Sequence, residues 1–291
     1  MASIEKGRLR ANGLNFAVLA AGPRQGPVAL LLHGFPEGKE SWLPQLDALA
    51  RAGWRAVAPD LRGDGDSDAP KGVEQYTLAK LNDDVEGLVD ALAEERVDLV
   101  GHDWGSILGW SFTSRFPDRV RTWTALSVGH PGLFTQPDED QLRRSSYIQL
   151  FLQAPKAEEV LLADGARRLK AMYRLGPNPE AIPQEQIADF ANAFSRPGRL
   201  TAGLNYYRAN LKGQQLQAYP PTPNPIRCPA QLIWGEQDPA LGRRQAELTQ
   251  DFVAGPYRLA AIPEAGHWLQ YERPQDVSRL IVEHVKAHLE T

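Results

Sequence analysis

The sequence predicts an α/β core, built on a mostly parallel sheet with helices on both faces and interrupted by a helical insertion. Three observations carry this prediction. Short apolar runs alternate with amphipathic stretches over the first 130 or so residues, a middle region has helical periodicity and no strand pattern, and the alternation returns after a proline-rich stretch. The implied organisation is a first core segment (1–130), a helical cap (131–225) and a second core segment (226–291).

Residues 28–32 (VALLL) form a continuous apolar run of strand length ending at His33-Gly34, which reads as a buried strand. Over 41–52, Trp42, Leu46 and Leu49 recur at helical spacing, and Gly53 ends the helix. Residues 54–58 (WRAVA) predict a second strand stopped by Pro59-Asp60, and 61–70 (LRGDGDSDAP) have the composition of a loop. Leu78, Leu81, Val85, Leu88 and Leu92 step by three and four and make one apolar helix face. Residues 97–100 (VDLV) are the next strand. Helices are expected over 143–152, 157–174 and 183–194, with no strand between 138 and 216. Residues 219–229 hold five prolines and can be neither helix nor central strand. Strands then return at 230–234 and 257–262, and a helix over 275–289 closes the chain.

With 291 residues, 42% hydrophobic and 23% charged, the chain is long enough to bury a large core unaided. A net charge of −4 lacks the basic face of a general nucleic-acid binder. The single cysteine, Cys228, excludes an intramolecular disulfide and a cysteine-rich zinc site. No apolar run approaches the ~20 residues of a membrane span, and the first residues, MASIEK, do not resemble a signal peptide. These features lead to the expectation of a cytoplasmic protein.

The strongest chemical signal is Gly101-His102-Asp103-Trp104-Gly105, between a strand and an apolar helix pattern. The glycines allow a sharp strand-to-helix turn that presents Asp103 as a nucleophile. The N–H of Trp104 would face a developing oxyanion, and the helix N-terminus favours the ionised carboxylate. No G-x-S-x-G occurs, which argues against a serine esterase. A loop at His33-Gly34-Phe35-Pro36 can supply a second oxyanion donor from Phe35. Asp238 follows one late strand and His267 the last, giving the chain order nucleophile, acid, histidine. His284 and His288, four apart on the last helix, have metal-ligand spacing but no accompanying acid motif, and read as a solvated face. Trp42, Trp104, Trp110, Phe151 and Trp268 suggest an aromatic, apolar pocket.

With these motifs the chain resembles the α/β-hydrolase superfamily and, within it, the soluble epoxide hydrolases. The resemblance rests on HGFPE (33–37), SW (41–42), APDLRGDGDSDAP (58–70), GHDWG (101–105) and GHW (266–268). It implies an α/β-hydrolase fold with an inserted helical cap and a cis Phe35–Pro36 bond. It also implies an Asp103–Asp238–His267 set that opens an epoxide to a vicinal diol through an aspartyl ester, with no metal or organic cofactor. Leu204-Asn-Tyr-Tyr-Arg208 resembles the family's cap segment and puts Tyr207 at the ring-opening position. In the 146–155 segment the family tyrosine falls on Ile148, and Tyr147 stands one place early, about 100° around a helix. Phe35 and Trp104 are the expected oxyanion donors, and Phe35, Trp104, Trp268 and Phe151 the expected substrate-binding residues. The expected partners are a small apolar epoxide-type substrate and water, without nucleic acid or membrane span, and with a homodimer left open. The alternatives are a haloalkane or haloacetate dehalogenase using the same aspartate, and a catalytically silent binding protein on the same fold. A haloacetate enzyme would carry arginine where Trp104 stands, and a haloalkane enzyme asparagine where Phe35 stands.

Overall fold

The computed structural model describes residues 2–217 and 224–289. The chain opens with a hairpin, β1 (Ile4–Ala11) and β2 (Leu14–Ala21), turned at Asn12-Gly13 with positive φ at both residues. Then follow β3 (Val28–Leu32), α1 (Leu43–Arg51), β4 (Arg55–Pro59), α2 (Leu78–Ala91), β5 (Val97–His102), α3 (Trp104–Arg115) and β6 (Val120–Leu126). The middle of the chain supplies α4 (Glu139–Arg144), α5 (Ile148–Phe151), α6 (Lys156–Met172), α7 (Gln184–Ser195), α8 (Arg199–Asn210) and a small hairpin, β7 (Leu211–Lys212) and β8 (Gln215–Leu216). The core resumes with β9 (Ala230–Gly235), α9 (Arg243–Leu248), β10 (Tyr257–Ile262), α10 (Leu269–Glu272) and α11 (Pro274–Ala287).

The main sheet has eight strands in the order β1-β2-β4-β3-β5-β6-β9-β10. Only the β1–β2 and β2–β4 pairs are antiparallel. From β4 to β10 every pair is parallel, as the strand–helix alternation predicts. Successive strand residues face opposite sides. Leu31, Val100 and Ile233 therefore pack under Leu46 and Leu49 of α1 and Ile281 and Val285 of α11. Leu30, Leu32 and Leu99 face the opposite layer, with Leu81, Val85 and Leu88 of α2 and Leu108 and Phe112 of α3. Beyond β3 the chain crosses first to β4 and then to β5, on opposite sides of β3. This switch point leaves a crevice at the carboxyl ends of β3 and β5.

The structure differs from the sequence expectations at identifiable places. β1, β2 and β6 had no counterpart among the predicted strands. β1 is a charged, mostly exposed edge strand. In β6 the buried Thr122 donates from Oγ1 to Asp98 Oδ1 at 2.8 Å, so polar residues that break the apolar run satisfy one another inside the sheet. The stretch expected to hold no strand contains the β7–β8 hairpin, turned through Gly213 at φ 59°. The helix expected over 143–152 is two helices, α4 and α5, broken at Ser145 to Tyr147. The helix expected over 157–174 is interrupted at Ala163 to Ala166, where Asp164, Gly165 and Ala166 adopt left-handed backbone. Part of the proline-rich stretch, 219–223, lies outside the described residues.

Candidate active site

The sharp turn between β5 and α3 carries Asp103. Its backbone, φ 51° and ψ −116°, is strained, at a cost of about 1–3 kcal/mol that the surrounding packing must hold in place. Two glycines make the turn sterically feasible. A Cβ on Gly105 would stand 2.1 Å from the Leu32 carbonyl oxygen, and one on Gly34 would stand 2.3 Å from Asp103 Cβ. The Phe35 N–H donates to Asp103 Oδ1 at 2.8 Å. Trp104 is the first residue of α3, so its N–H has no intrahelical partner. The Phe35–Pro36 peptide is cis, as expected.

His267, in the loop after β10, has Nε2 3.7 Å from Asp103 Oδ2 and Nδ1 3.0 Å from Asp238 Oδ2. Asp238 follows β9 and is buried. Its Oδ1 accepts from the N–H groups of Ala240 and Leu241 at 2.7 and 3.0 Å, which aims Oδ2 at the imidazole. Burial opposes charge on His267, but the flanking Asp238 and Asp103 more than offset it and hold its pKa well above the ordinary histidine range. Burial likewise opposes charge on Asp103, and the contacts from His267 and the Phe35 N–H outweigh it, so this carboxyl sits below its ordinary value. Both directions favour an ionised Asp103 beside a charged His267.

Behind the imidazole lies a polar layer for which sequence reasoning proposed no role. The His267 carbonyl accepts from Ser127 Oγ at 2.8 Å and from His102 Nε2 at 2.9 Å. His102 Nδ1 lies 2.8 Å from Glu37 Oε2, and Gln270 Nε2 donates to Glu37 Oε1 at 2.9 Å. The signal was present in the motifs, since Glu37 closes HGFPE and His102 precedes the nucleophile.

Tyr207, on α8, is buried in the cap. Burial first, then the charge of Asp103, pushes its phenol well above the usual range, so it carries its proton. The same two causes raise the phenol of Tyr147. Tyr147 as a residue is 38% exposed, yet it lines the cavity with Asp103 and Tyr207. The displacement of one residue does not turn it away: Tyr147 and Ile148, neighbours at the start of α5, both line the cavity. Phe35 packs edge-on against Phe151 and Tyr207 at 5.6 and 5.7 Å between centroids, and Trp104 against Tyr207 at 5.0 Å. Trp268 packs on His267 at 4.8 Å.

The cavity thus gathers Asp103, His267, Tyr147, Tyr207, Phe35, Trp104, Phe151 and Trp268, with Asp238 behind His267. Trp42 and Trp110, grouped with the pocket aromatics from sequence, are core residues. Trp42 packs in the α1–α11 layer, and Trp110 stacks edge-on with Trp123 at 5.5 Å. His284 is a second correction. It is buried rather than solvated, donates from Nε2 to the Pro229 carbonyl at 3.3 Å, and is held by burial at about 4. Among the described residues no cluster of histidine, cysteine, aspartate or glutamate is arranged to hold a metal ion.

A strained carboxylate at a strand–helix turn, backed by a histidine and a second acid at the carboxyl ends of a mostly parallel sheet, is a hydrolase arrangement. Residues 27–274 match the alpha/beta hydrolase fold family, and the chain belongs to that superfamily. The relatives place it further. The chain is 38% identical to epoxide hydrolase 3 of Xenopus tropicalis, over 96% of this chain and 77% of that protein. It is 34% identical to the AB hydrolase superfamily protein YfhM of Bacillus subtilis, over 94% and 96%. The crystal structure of epoxide hydrolase A from Mycobacterium thermoresistibile superposes with a TM-score of 0.86 at 31% identity, covering 98% of each chain. Within the superfamily, this chain is a member of the epoxide hydrolase family.

Proposed function

We propose that the protein hydrolyses epoxides to vicinal diols through an ester on Asp103. The observation that carries this reading is that two protonated phenols, Tyr147 and Tyr207, line the same cavity as the carboxylate. A halide leaving group needs no proton, whereas an epoxide oxygen does.

Oδ2 of Asp103 attacks one ring carbon while Oδ1 rests on the Phe35 N–H. The ring C–O bond breaks, and the oxygen takes a proton from a tyrosine, which recovers it from water. Ester formation consumes the negative charge that held the proton on His267. The imidazole's proton affinity falls towards the ordinary range, and its proton neutralises the hydroxide left by reprotonation of the tyrosine, leaving a base supported by Asp238 alone. It then takes a proton from water, whose oxygen adds to Cγ. The resulting oxyanion sits on the N–H groups of Phe35 and Trp104. Collapse breaks the Cγ–Oδ2 bond, His267 returns the proton to the departing diol, and Asp103, left as the acid, passes its remaining proton to His267. The base is therefore available only after the nucleophile has reacted.

The test is turnover of styrene oxide, with diol formation measured beside halide release from haloalkanes and haloacetates. Diol formation that disappears in Asp103→Asn, checked by mass to retain its amide, supports the reading. Halide release without diol formation overturns it. The lone cysteine supports a cytoplasmic location as part of the same proposal.

A further inference from the structure

The cavity continues on both sides of Asp103, and the two lobes are unequal. Asp103, Tyr147, Tyr207 and Ala240 border both. The larger lobe, on the His267 side, has a volume of about 190 Å³ and is walled by Phe151, Leu161, Met172 and Trp268 among others. The smaller, beyond Trp104, has about 50 Å³, room for roughly three to five water-sized groups. The first is the roomier and more apolar place for an aryl or long alkyl group.

The small lobe is also chemically distinct, because Gln141 and Ser145 line it. Gln141 cannot flip. Its Oε1 accepts from the Gly242 N–H at 3.2 Å, and its Nε2 donates to the Ala240 carbonyl at 2.8 Å. The same Nε2 donates to Ser145 Oγ at 2.7 Å. Ser145 is therefore an acceptor towards Gln141, and its own proton must be used elsewhere. Ser145 is 7% exposed, and its hydroxyl donates to no group among the described residues. A buried hydroxyl with an unspent proton, bordering a cavity beside the nucleophile, is a recognition element for a ligand acceptor.

We infer that Ser145 selects epoxides carrying a large apolar substituent on one ring carbon and a small hydrogen-bond-accepting substituent, of hydroxymethyl size, on the other. This inference rests on the epoxide hydrolase reading of the site. The apolar group occupies the large lobe, the ring lies between Asp103 and the two tyrosines, and the hydroxymethyl oxygen accepts from Ser145.

The experiment compares trans-phenylglycidol with its isosteric analogue bearing ethyl in place of hydroxymethyl, with styrene oxide as reference. The readout is the ratio of the two kcat/KM values within one protein, so a change in overall activity cancels. Ser145→Ala is expected to lower the ratio of alcohol to ethyl analogue between about two- and tenfold, the range of one neutral hydrogen bond. Ser145→Cys, which nearly keeps the shape but weakens the donor, is expected to fall between Ser145→Ala and wild type. A ratio unchanged in either variant overturns the inference. So does a wild-type enzyme that prefers the ethyl analogue, a measurement that needs no variant. Turnover of styrene oxide without discrimination refutes the selectivity alone, whereas no turnover of any epoxide refutes the reading beneath it.

Discussion

At the scale of single residues, the site's behaviour follows from charge held in a dry place. His267 lies between two carboxylates, and its raised pKa belongs to the enzyme with Asp103 ionised. His267→Gln leaves the first half-reaction intact and removes the base for the second, so the protein is expected to accumulate the substrate's mass on Asp103 in an intact-mass experiment. Rapid multiple turnover by this variant would contradict the two-step scheme. Ester hydrolysis is expected to slow as pH falls through the pKa of His267 in the ester form, which lies below that of the resting enzyme because Asp103 no longer carries a charge; rapid-quench measurement of ester decay against pH reads this directly. Tyr147 and Tyr207 border the same space, so each phenylalanine variant keeps one donor. Each is expected to slow alkylation about tenfold and the double variant on the order of 10³, as lost donors to an anionic oxygen do. A double variant no slower than the singles would mean that only one phenol meets the epoxide. That Asp103, Asp238 and His267, the proposed nucleophile, acid and base, come together was legible in the sequence because each sits just beyond a strand in a short motif. Glu37 and His102 stood in legible motifs, but the layer they form did not, since Gln270 lies 233 positions from Glu37; Ser145 stands in no motif at all.

The elements explain how these side chains arrive. The β5–α3 turn works only because neighbouring backbone fills the space where ordinary side chains would begin. Gly105→Ala places a methyl against the Leu32 carbonyl and is expected to cost about 3 kcal/mol or more, by overpacking a rigid turn. Urea unfolding monitored by tryptophan fluorescence would measure it, and a loss under about 1 kcal/mol would show that the turn can yield. Buried parallel strands such as VALLL announce themselves as apolar runs. β6 did not, because its threonine and arginine are matched with Asp98 on the adjacent strand. The break between α4 and α5 was equally hidden, since apolar spacing persists across it while the backbone does not.

For the whole molecule, the buried histidines set a prediction about acid. Burial lowers His284 to about 4 and His130 to about 3, against an ordinary value of 6.5. His33 is lowered for the same reason. An unfolded chain takes up protons on all three near 6.5, while the folded chain refuses them until well below. Their contribution is therefore fully present above that value and lost as pH falls towards 4 and then 3. These histidines are expected to remove on the order of several kcal/mol of stability in mild acid, partly offset by Asp64, Asp84 and Asp98, whose burial raises their pKa values so that the folded chain takes up their protons first. His284→Gln, which keeps a donor for the Pro229 carbonyl, should flatten the slope of unfolding free energy against pH; an unchanged slope would place the titration elsewhere.

Two sets of hydrogen bonds join the α4–α8 segment to the rest of the chain. In one set Arg144 donates to the Asp238 carbonyl at 2.7 Å, and Gln141 holds Ala240 and Gly242. In the other, Tyr206 donates to the Arg62 carbonyl at 2.8 Å, and Asn210 bonds both Leu78 and Tyr76. Raising the α4 side would tug directly on the loop whose Asp238 aims His267. Tyr147 and the 56% exposed Leu175 stand where the lining of the cavity meets the surface. Tethering α4 to the loop that carries Asp238 is therefore expected to leave the enzyme working, because that contact is already made in the closed arrangement.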